Sequence, residues 1–530
     1  MNGILLLMGI VILVCITAYR FTERLAVPSL LIFILLGMAF GENGIFKISF
    51  SDYSLSETVC SICLVFIMYY GGFGTNIRAA KSVAAKSVVL STLGVLLTAG
   101  LTGVFIHFAL NLSWLESALI GSVIASTDAA SVFNILRTRS LNLKDNTASL
   151  LELESGSNDP MSYMLTVVLV ALMRGDSISV PWMLFQQLFF GIVCGLSIGA
   201  AAVWVLSNRD FQISQGSTIF VFAIAVIGYA LPAAMGGNGY LSVYLCGILM
   251  GNARIPEKRN LVRFFDVLTG IAQMMIFFLL GLLVTPKDLP LVIVPAFLIT
   301  LFLTFVGRPL AVVGILLPFR SSLAQMGIVS WAGLRGVASI VFAIYATLHY
   351  QNLTYNLFDL VFCIVLLSMA FQGTLLPYVA RWIGMIDERA DVRKTFNDYQ
   401  EENDVSFIKI HMDETHPWAY KKLRDIVTPP DFLIVLVARQ NQGFMVPSGD
   451  TEILPGDLLV IAGREFENRE NLTLREAAVT EKSRYCNKSL REINLPNGTL
   501  IVMVQRLNQT IIPCGDTTIQ EGDTLVVAHY

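Results

Sequence analysis

Charge is scarce over the first 382 residues of this 530-residue chain, and histidine is scarce throughout, with five in all. A soluble domain of that length carries a solvated charged face, so the stretch from Met1 to about Trp382 is not one; its apolar runs of about 20 residues are long enough to cross a hydrocarbon core. The opening segment Met1 to Arg20 lacks a basic start and a small-residue cleavage site, which argues against a removable signal peptide, and it is expected to form the first spanning helix. Of eight cysteines, Cys60 and Cys63 make a CxxC, but no histidine or second CxxC lies near it, which excludes a metal site there. His107 and His349 fall near span ends and His411, His416 and His529 beyond the spans, so histidine is a poor proton carrier here. No TVGYG-like loop is present, which speaks against a tail-gated cation channel. No serine and histidine sit together at membrane depth, which speaks against an intramembrane hydrolase. Net charge is −3, and no nucleic-acid partner is expected.

What is present divides the chain by composition. Residues 1–385 read as an all-α polytopic membrane domain, 386–403 as a polar linker, and 404–530 as a soluble α+β tail. Apolar runs between charged gaps suggest about thirteen spans, from 3–19 and 27–41 through 356–382. Basic residues collect in alternate gaps: Arg20 and Arg24, then Arg78, Lys81 and Lys86, then Arg137, Arg139 and Lys144, then Arg209, then Arg254, Lys258, Arg259 and Arg263, then Arg320, and Arg381. Positive gaps face the cytoplasm, so the N-terminus is expected outside and the tail in the cytoplasm, with the protein in the plasma membrane among its lipids.

An ionised side chain at mid-membrane costs about 2.5–3.5 kcal/mol on insertion scales, so each one marks a pathway or a buried pair. The candidates are Asp128 in Ser126-Thr127-Asp128, Glu154 and Asp159 in the stretch 153–160, Arg308 before Pro309, and Arg335 in 331–336. Ser155 and Asp159, four apart, share a helix face, while Glu154 points about a hundred degrees away. One acid can therefore hold an arginine while the other exchanges ligands, and Glu154 with Arg335 reads as the ion pair. The short polar run at 126–128 suits a helix break whose carbonyls and Thr127 hydroxyl coordinate a cation. Arg308 either orients helices or lines a cytoplasmic funnel. Drawn out of water, a lone carboxylate favours a bound proton or a bound cation over a bare charge, so the two ligands compete for one site.

These residues resemble the NhaP branch of the monovalent cation:proton antiporters, a likeness spread over the whole membrane part. It is carried by Thr127-Asp128, Glu154-Ser155 with Asn158-Asp159, the run 239–252, the Phe-Phe-Leu-Leu-Gly-Leu-Leu-Val run at 277–284, and Gly333 to Gly336, in that order. The resemblance implies inverted repeats with broken, crossing helices in the fifth and twelfth spans, and a core bundle moving against a dimerisation bundle in a homodimer. It implies Asp159 as carrier carboxylate, with Thr127, Asp128, Ser155 and Asn158 at the cation site and Glu154–Arg335 as a stabilising pair. Asn158 before a single Asp159 resembles the electroneutral exchangers. No cofactor is required. Two departures stand out: Ala129 replaces the usual proline after Thr-Asp, and Tyr70 stands where an acid is common, a candidate accessory position.

The tail repeats with a period of about 67 residues: 423–426 matches 490–493, 432–439 matches 499–506, 447–451 matches 513–517, and 456–460 matches 522–526. Alternating apolar residues between Gly, Asp and Asn turns read as short strands. Residues 404–464 and 473–530 resemble two RCK_C (TrkA-C) domains; no GxGxxG follows a strand, so a dinucleotide-binding half is not expected. The resemblance implies dimerisation and a regulatory ligand, cyclic di-AMP being one class, with Arg439, Asn441, Arg506 and Asn508 as candidate tail positions. It turns the expected cargo toward K+ exchanged for H+, with Na+ exchange for H+ as the alternative.

Overall fold

The structure is a computed structural model that describes most of residues 29–386 and 405–529; nearly all of 1–28, together with 129–130, 133–134, 137–140, 177–178, 209–215, 256–257, 387–404, 427–431, 440–442, 465–472, 480–482, 494–498, 507–508 and scattered single positions, lies outside the description. Of the expected first span, Gly9, Leu13 and Thr17 are described, and all three are helical. The chain divides into two units, Met1–Gln400 and Glu401–Tyr530.

The first unit is helical. Its described elements are α1 (Ser29–Phe40), α2 (Tyr53–Gly74), α3 (Ala84–Leu110), α4 (Trp114–Val123), α5 (Thr147–Arg174), α6 (Val180–Ser207), α7 (Ser217–Ala234), α8 (Gly239–Asn252), α9 (Lys258–Leu283), α10 (Leu289–Leu316), α11 (Leu323–Trp331), α12 (Val337–His349) and α13 (Leu357–Trp382). Seven of them are long and apolar enough to cross a membrane. The helices pack in two groups. In one, α1, α2, α6, α7, α8 and α9 lie together; in the other, α3, α4, α5, α10, α11, α12 and α13 do.

Lipid offers no hydrophobic drive between helices, so close backbone approach through small residues does the joining. A Cβ on Gly247 or Gly251 of α8 would run into the α2 backbone at Tyr69 and Phe73, and one on Gly72 of α2 would meet Tyr244 of α8. Gly37 of α1 and Gly281 of α9 meet in the same way.

The second group carries the irregularities. α4 stops at Val123, residues 126–128 run without helix, and helical conformation resumes at Ser131. α11 stops at Trp331 and α12 begins at Val337, separated by 333–336. Three further helices contain one π-helical turn each: Leu90–Gly94 in α3, Leu303–Gly307 in α10 and Met369–Gly373 in α13. Such turns insert a residue and re-aim the side chains of the next helical turn, and they concentrate at functional sites.

The second unit holds two four-stranded antiparallel sheets. β1 (Val405–His411), β2 (Phe432–Arg439), β3 (Gly443–Met445) and β4 (Leu458–Arg464) order as β1-β4-β2-β3; β5 (Thr473–Ala478), β6 (Thr499–Arg506), β7 (Gln509–Ile511) and β8 (Thr524–His529) order as β5-β8-β6-β7. The repeat extends to the defects: the register slips between Ile434 and Leu436 in one sheet and between Ile501 and Met503 in the other. Gly456 and Gly522 hold φ of 88° and 85° in matching turns, a left-handed conformation that suits glycine. Each following aspartate then bridges back to its sheet, Asp457 to Arg439 and Asp523 to Arg506.

Candidate functional site

The site is built where the two breaks meet the middle of α5. Ending α4 at Val123 frees carbonyls at its C-terminal end, the negative end of the half-helix. Arg335, in the opposite break, answers them: its Nη1 donates to the carbonyls of Ala125 and Ser126 at 2.8 and 2.9 Å. The Asp128 N–H returns a bond to the Leu334 carbonyl at 2.8 Å, so the two unwound segments are stitched directly together. The Arg335 N–H donates to Ser368 Oγ, which in turn donates to Gln372 in the π-helical turn of α13. The bulge in α13 thus supports the break beside it.

α5 contributes the acids. Asn158 donates to Thr127 Oγ1 at 2.5 Å and to Glu154 Oε1 at 3.3 Å, and accepts from the Thr127 N–H at 3.4 Å. Ser155 donates to the Thr127 carbonyl, and Ser126 donates to Asp159 Oδ1. Every polar group of Thr127 is therefore held by α5. Asp128 accepts from the Ser131 N–H at 3.2 Å and the Ser131 hydroxyl at 2.5 Å, and its carboxylate lies against Gly336 at the start of α12. It caps its own half-helix at the positive ends of two helices. Pro160, inside α5, offers no N–H, so the Gly156 carbonyl lacks its intrahelical donor one turn before Asp159.

The structure corrects the ion pair expected from sequence. Glu154 pairs with Arg308, Nη2 to Oε2 at 2.8 Å, both fully buried, and not with Arg335. Arg308 comes directly after the π-helical turn 303–307, which brings it to α5, whereas Arg335 sits in a break whose nearest acceptors are the freed carbonyls across from it. The alternative reading of Arg308 as a funnel residue gives way with this, since it is a buried counter-ion. Tyr70, the accessory candidate, donates to Asp266 of α9 at 3.3 Å.

Sequence reasoning missed Glu152, which lies on α5 seven residues before Asp159. The signal was its i, i+7 spacing to Asp159, with Ser155 and Gly156 between them on the same face. It also missed Glu116, at the first turn of α4, which accepts from the N–H and hydroxyl of Thr354 at 2.7 and 2.9 Å and ties the start of one broken helix to the loop before α13.

In the tail, Arg439 forks onto Asp457 at 2.8 and 2.7 Å and donates to the Glu452 carbonyl; Arg506 does the same with Asp523 and Thr518. Burial alone would raise the Asp457 carboxyl, but the bonds from Arg439 and the Leu454 N–H outweigh it and hold it below its ordinary value. Asp523 is held low first by its bonds from Arg506, against burial. These arginines are engaged in intradomain locks and stay partly exposed; Asn441 and Asn508 lie outside the described residues.

Discontinuous helices that meet at their unwound segments are how many transporters build their binding sites. The family description "sodium/hydrogen exchanger, transmembrane" matches residues 9–382, and the TrkA-C domain matches 408–465 and 474–528. The chain belongs to the sodium/hydrogen exchanger family. This exchanger is 36% identical over 385 residues to the K(+)/H(+) antiporter NhaP of Alkalimonas amylolytica, covering 72% of this chain and 67% of that one. It is 33% identical over 475 residues to the K(+)/H(+) antiporter NhaP2 of Shewanella sp. (strain ANA-3), covering 88% and 82%. Its fold is similar to that of the sodium proton antiporter MjNhaP1 of Methanocaldococcus jannaschii, with TM-score 0.64 at 24% identity, over 71% of this chain and 97% of that one. The exchanger is a polytopic cation:proton antiporter with C-terminal TrkA-C domains.

Proposed function

We propose that this antiporter exchanges K+ for H+ one for one, with Asp159 carrying either ion in turn. The observation that carries the reading is the division of labour among the acids. Glu154 is neutralised by Arg308 and Asp128 is committed to the half-helix ends, while Asp159 accepts from the Ser126 hydroxyl. The neighbour at 158 is an uncharged amide spent on Thr127 and Glu154. A single exchangeable carboxylate carries one proton one way and one monovalent cation the other, which moves no net charge.

Ser126 on Asp159 itself, Ser155 with the Thr127 carbonyl it binds, and the Gly156 carbonyl one turn back on α5 supply neutral oxygens to this part of the site. Oxygen ligands of this kind suit a hard alkali cation. The choice of potassium rests on the names of the relatives over most of the chain. The same reading places the protein in the plasma membrane as a homodimer, the N-terminus outside and the TrkA-C tail in the cytoplasm, where the tail regulates exchange through a ligand of the cyclic di-AMP class.

Proton flux in everted vesicles tests the proposal, scanned over potassium, sodium, rubidium and lithium. Asp159→Asn should abolish cation-dependent flux while the protein still assembles in the membrane. Flux retained by that variant sinks the carrier assignment, and a response to sodium without potassium sinks the choice of cargo.

A further inference from the structure

Glu152 lies two turns before Asp159 on the same face of α5. Its Oε1 is sealed from solvent and accepts no hydrogen bond, an arrangement that costs stability unless something answers it. No basic side chain pairs with it among the described residues. Among the described residues, what faces it is oxygen. Thr75, buried just past α2, turns its side chain toward Glu152. The Thr75 hydroxyl donates its one proton to the Gly71 carbonyl at 2.9 Å, so it has only lone pairs left to present.

Tyr244 of α8 closes the other side. It is 2% exposed, Ser157 and Thr75 face its hydroxyl, and among the described residues none of them meets that hydroxyl at hydrogen-bond geometry. Between Glu152 and Asp159 on α5 stands Gly156, where a Cβ would fall 2.5–2.7 Å from the Tyr244 ring and hydroxyl. Nothing but glycine leaves the hydroxyl room against α5. A carboxylate oxygen and two hydroxyl oxygens converge, and among the described residues Oε1 of the acid accepts no hydrogen bond.

We infer that Glu152, Thr75 and Tyr244 form a second, staging site for a partly dehydrated monovalent cation, from which it passes along α5 to Asp159. Seven residues of helix set the two carboxylates about 10 Å apart, near enough for transfer and far enough for separate occupancy. Thr75 and Tyr244 belong to the α2–α8 group and Glu152 to the crossing group, so the site straddles the seam between them and is complete only when they stand as they do here. The inference rests on the proposed exchange at Asp159.

The test uses the full-length protein in everted vesicles with potassium or rubidium as the probe at fixed pH. Glu152→Gln should raise the apparent KM for the cation by about fivefold, with the rate at saturating cation falling by less than about twofold, because uniform binding and not the carrier step is lost. Thr75→Val, of the same shape, should raise KM by about threefold. Glu152→Asp, which keeps the charge, should lie closer to wild type than Glu152→Gln. Wild-type KM in both Glu152→Gln and Thr75→Val overturns the site, as does a loss of rate with KM unmoved. Should Glu152→Gln fail to assemble, Thr75→Val and Glu152→Asp decide alone, and wild-type KM in Thr75→Val is again fatal. Failure of the exchange reading itself looks different: the wild-type protein then shows no cation-dependent proton flux, or Asp159→Asn retains it.

Discussion

Replacing Arg308 with methionine strands Glu154 as a carboxylate at 0% exposure with its counter-ion gone. Two unit charges 2.8 Å apart attract by about 6 kcal/mol at an effective dielectric near 20. Most of that offsets the cost of taking both ions from water, so the intact pair contributes little net stability; removing one partner leaves the cost standing, about 3–5 kcal/mol. Glu154→Gln with Arg308→Met removes both charges, and glutamine still offers an oxygen to Asn158, which now donates to Glu154 at 3.3 Å. The double variant should recover most of the loss, a coupling of about 2–3 kcal/mol. The parallel cycle with Arg335→Met should show less than about 1 kcal/mol of coupling to Glu154, because that guanidinium spends its Nη1 on the carbonyls of Ala125 and Ser126. Unfolding midpoints of the purified full-length variants in detergent give both cycles. A larger coupling to Arg335 than to Arg308, or an Arg308→Met variant that unfolds like wild type, refutes the assignment.

Three predictions concern the tail. Asp457 and Asp523 bind protons less readily folded than unfolded, so their stabilisation is complete above the unfolded carboxyl value near 4 and drains away as pH falls through the lower folded values. Hydrogen exchange in β2 and β4 of the full-length protein should therefore lose protection as pH falls below about 4. Asp457→Asn should weaken the first sheet by about 2 kcal/mol at neutral pH and flatten its acid response; unchanged protection in that variant contradicts the lock. Deleting 404–530 should change the pH or ligand dependence of exchange measured in vesicles, and superimposable activity curves would leave the tail without a regulatory role.

Much of the site was legible because its chemistry is local. Thr127, Asp128, Ser155, Asn158 and Asp159 stand out as polar residues inside apolar runs, and helical spacing alone aligns Ser155 with Asp159. The tail repeat was legible for a similar reason: turn residues recur at a fixed interval, and the structure repeats the register slip and the Arg–Asp lock at the same interval. The choice among partners escaped. Glu154 had two arginines available, and spacing along the chain cannot say which guanidinium arrives at 2.8 Å. Three π-helical turns, which shift register by one residue, left no readable mark in composition. Glu152 had a readable i, i+7 spacing to Asp159, but the side chains that face it, Thr75 and Tyr244, belong to two other segments.

Hydrophobic run length and the placing of a few charges determined that this chain spans a membrane repeatedly, carries acids at membrane depth and has a short polar run at 126–128 that suits a helix break; the second break and the crossing came from the family resemblance. Those properties come from a medium that offers backbone groups no hydrogen bonds and admits charge at high cost, a rule that acts on each segment separately. Only the tertiary structure decided which buried charges neutralise each other and which oxygens converge. Such matters depend on distances of a few ångströms between segments far apart in sequence, and electrostatic energy at low dielectric varies steeply over those distances.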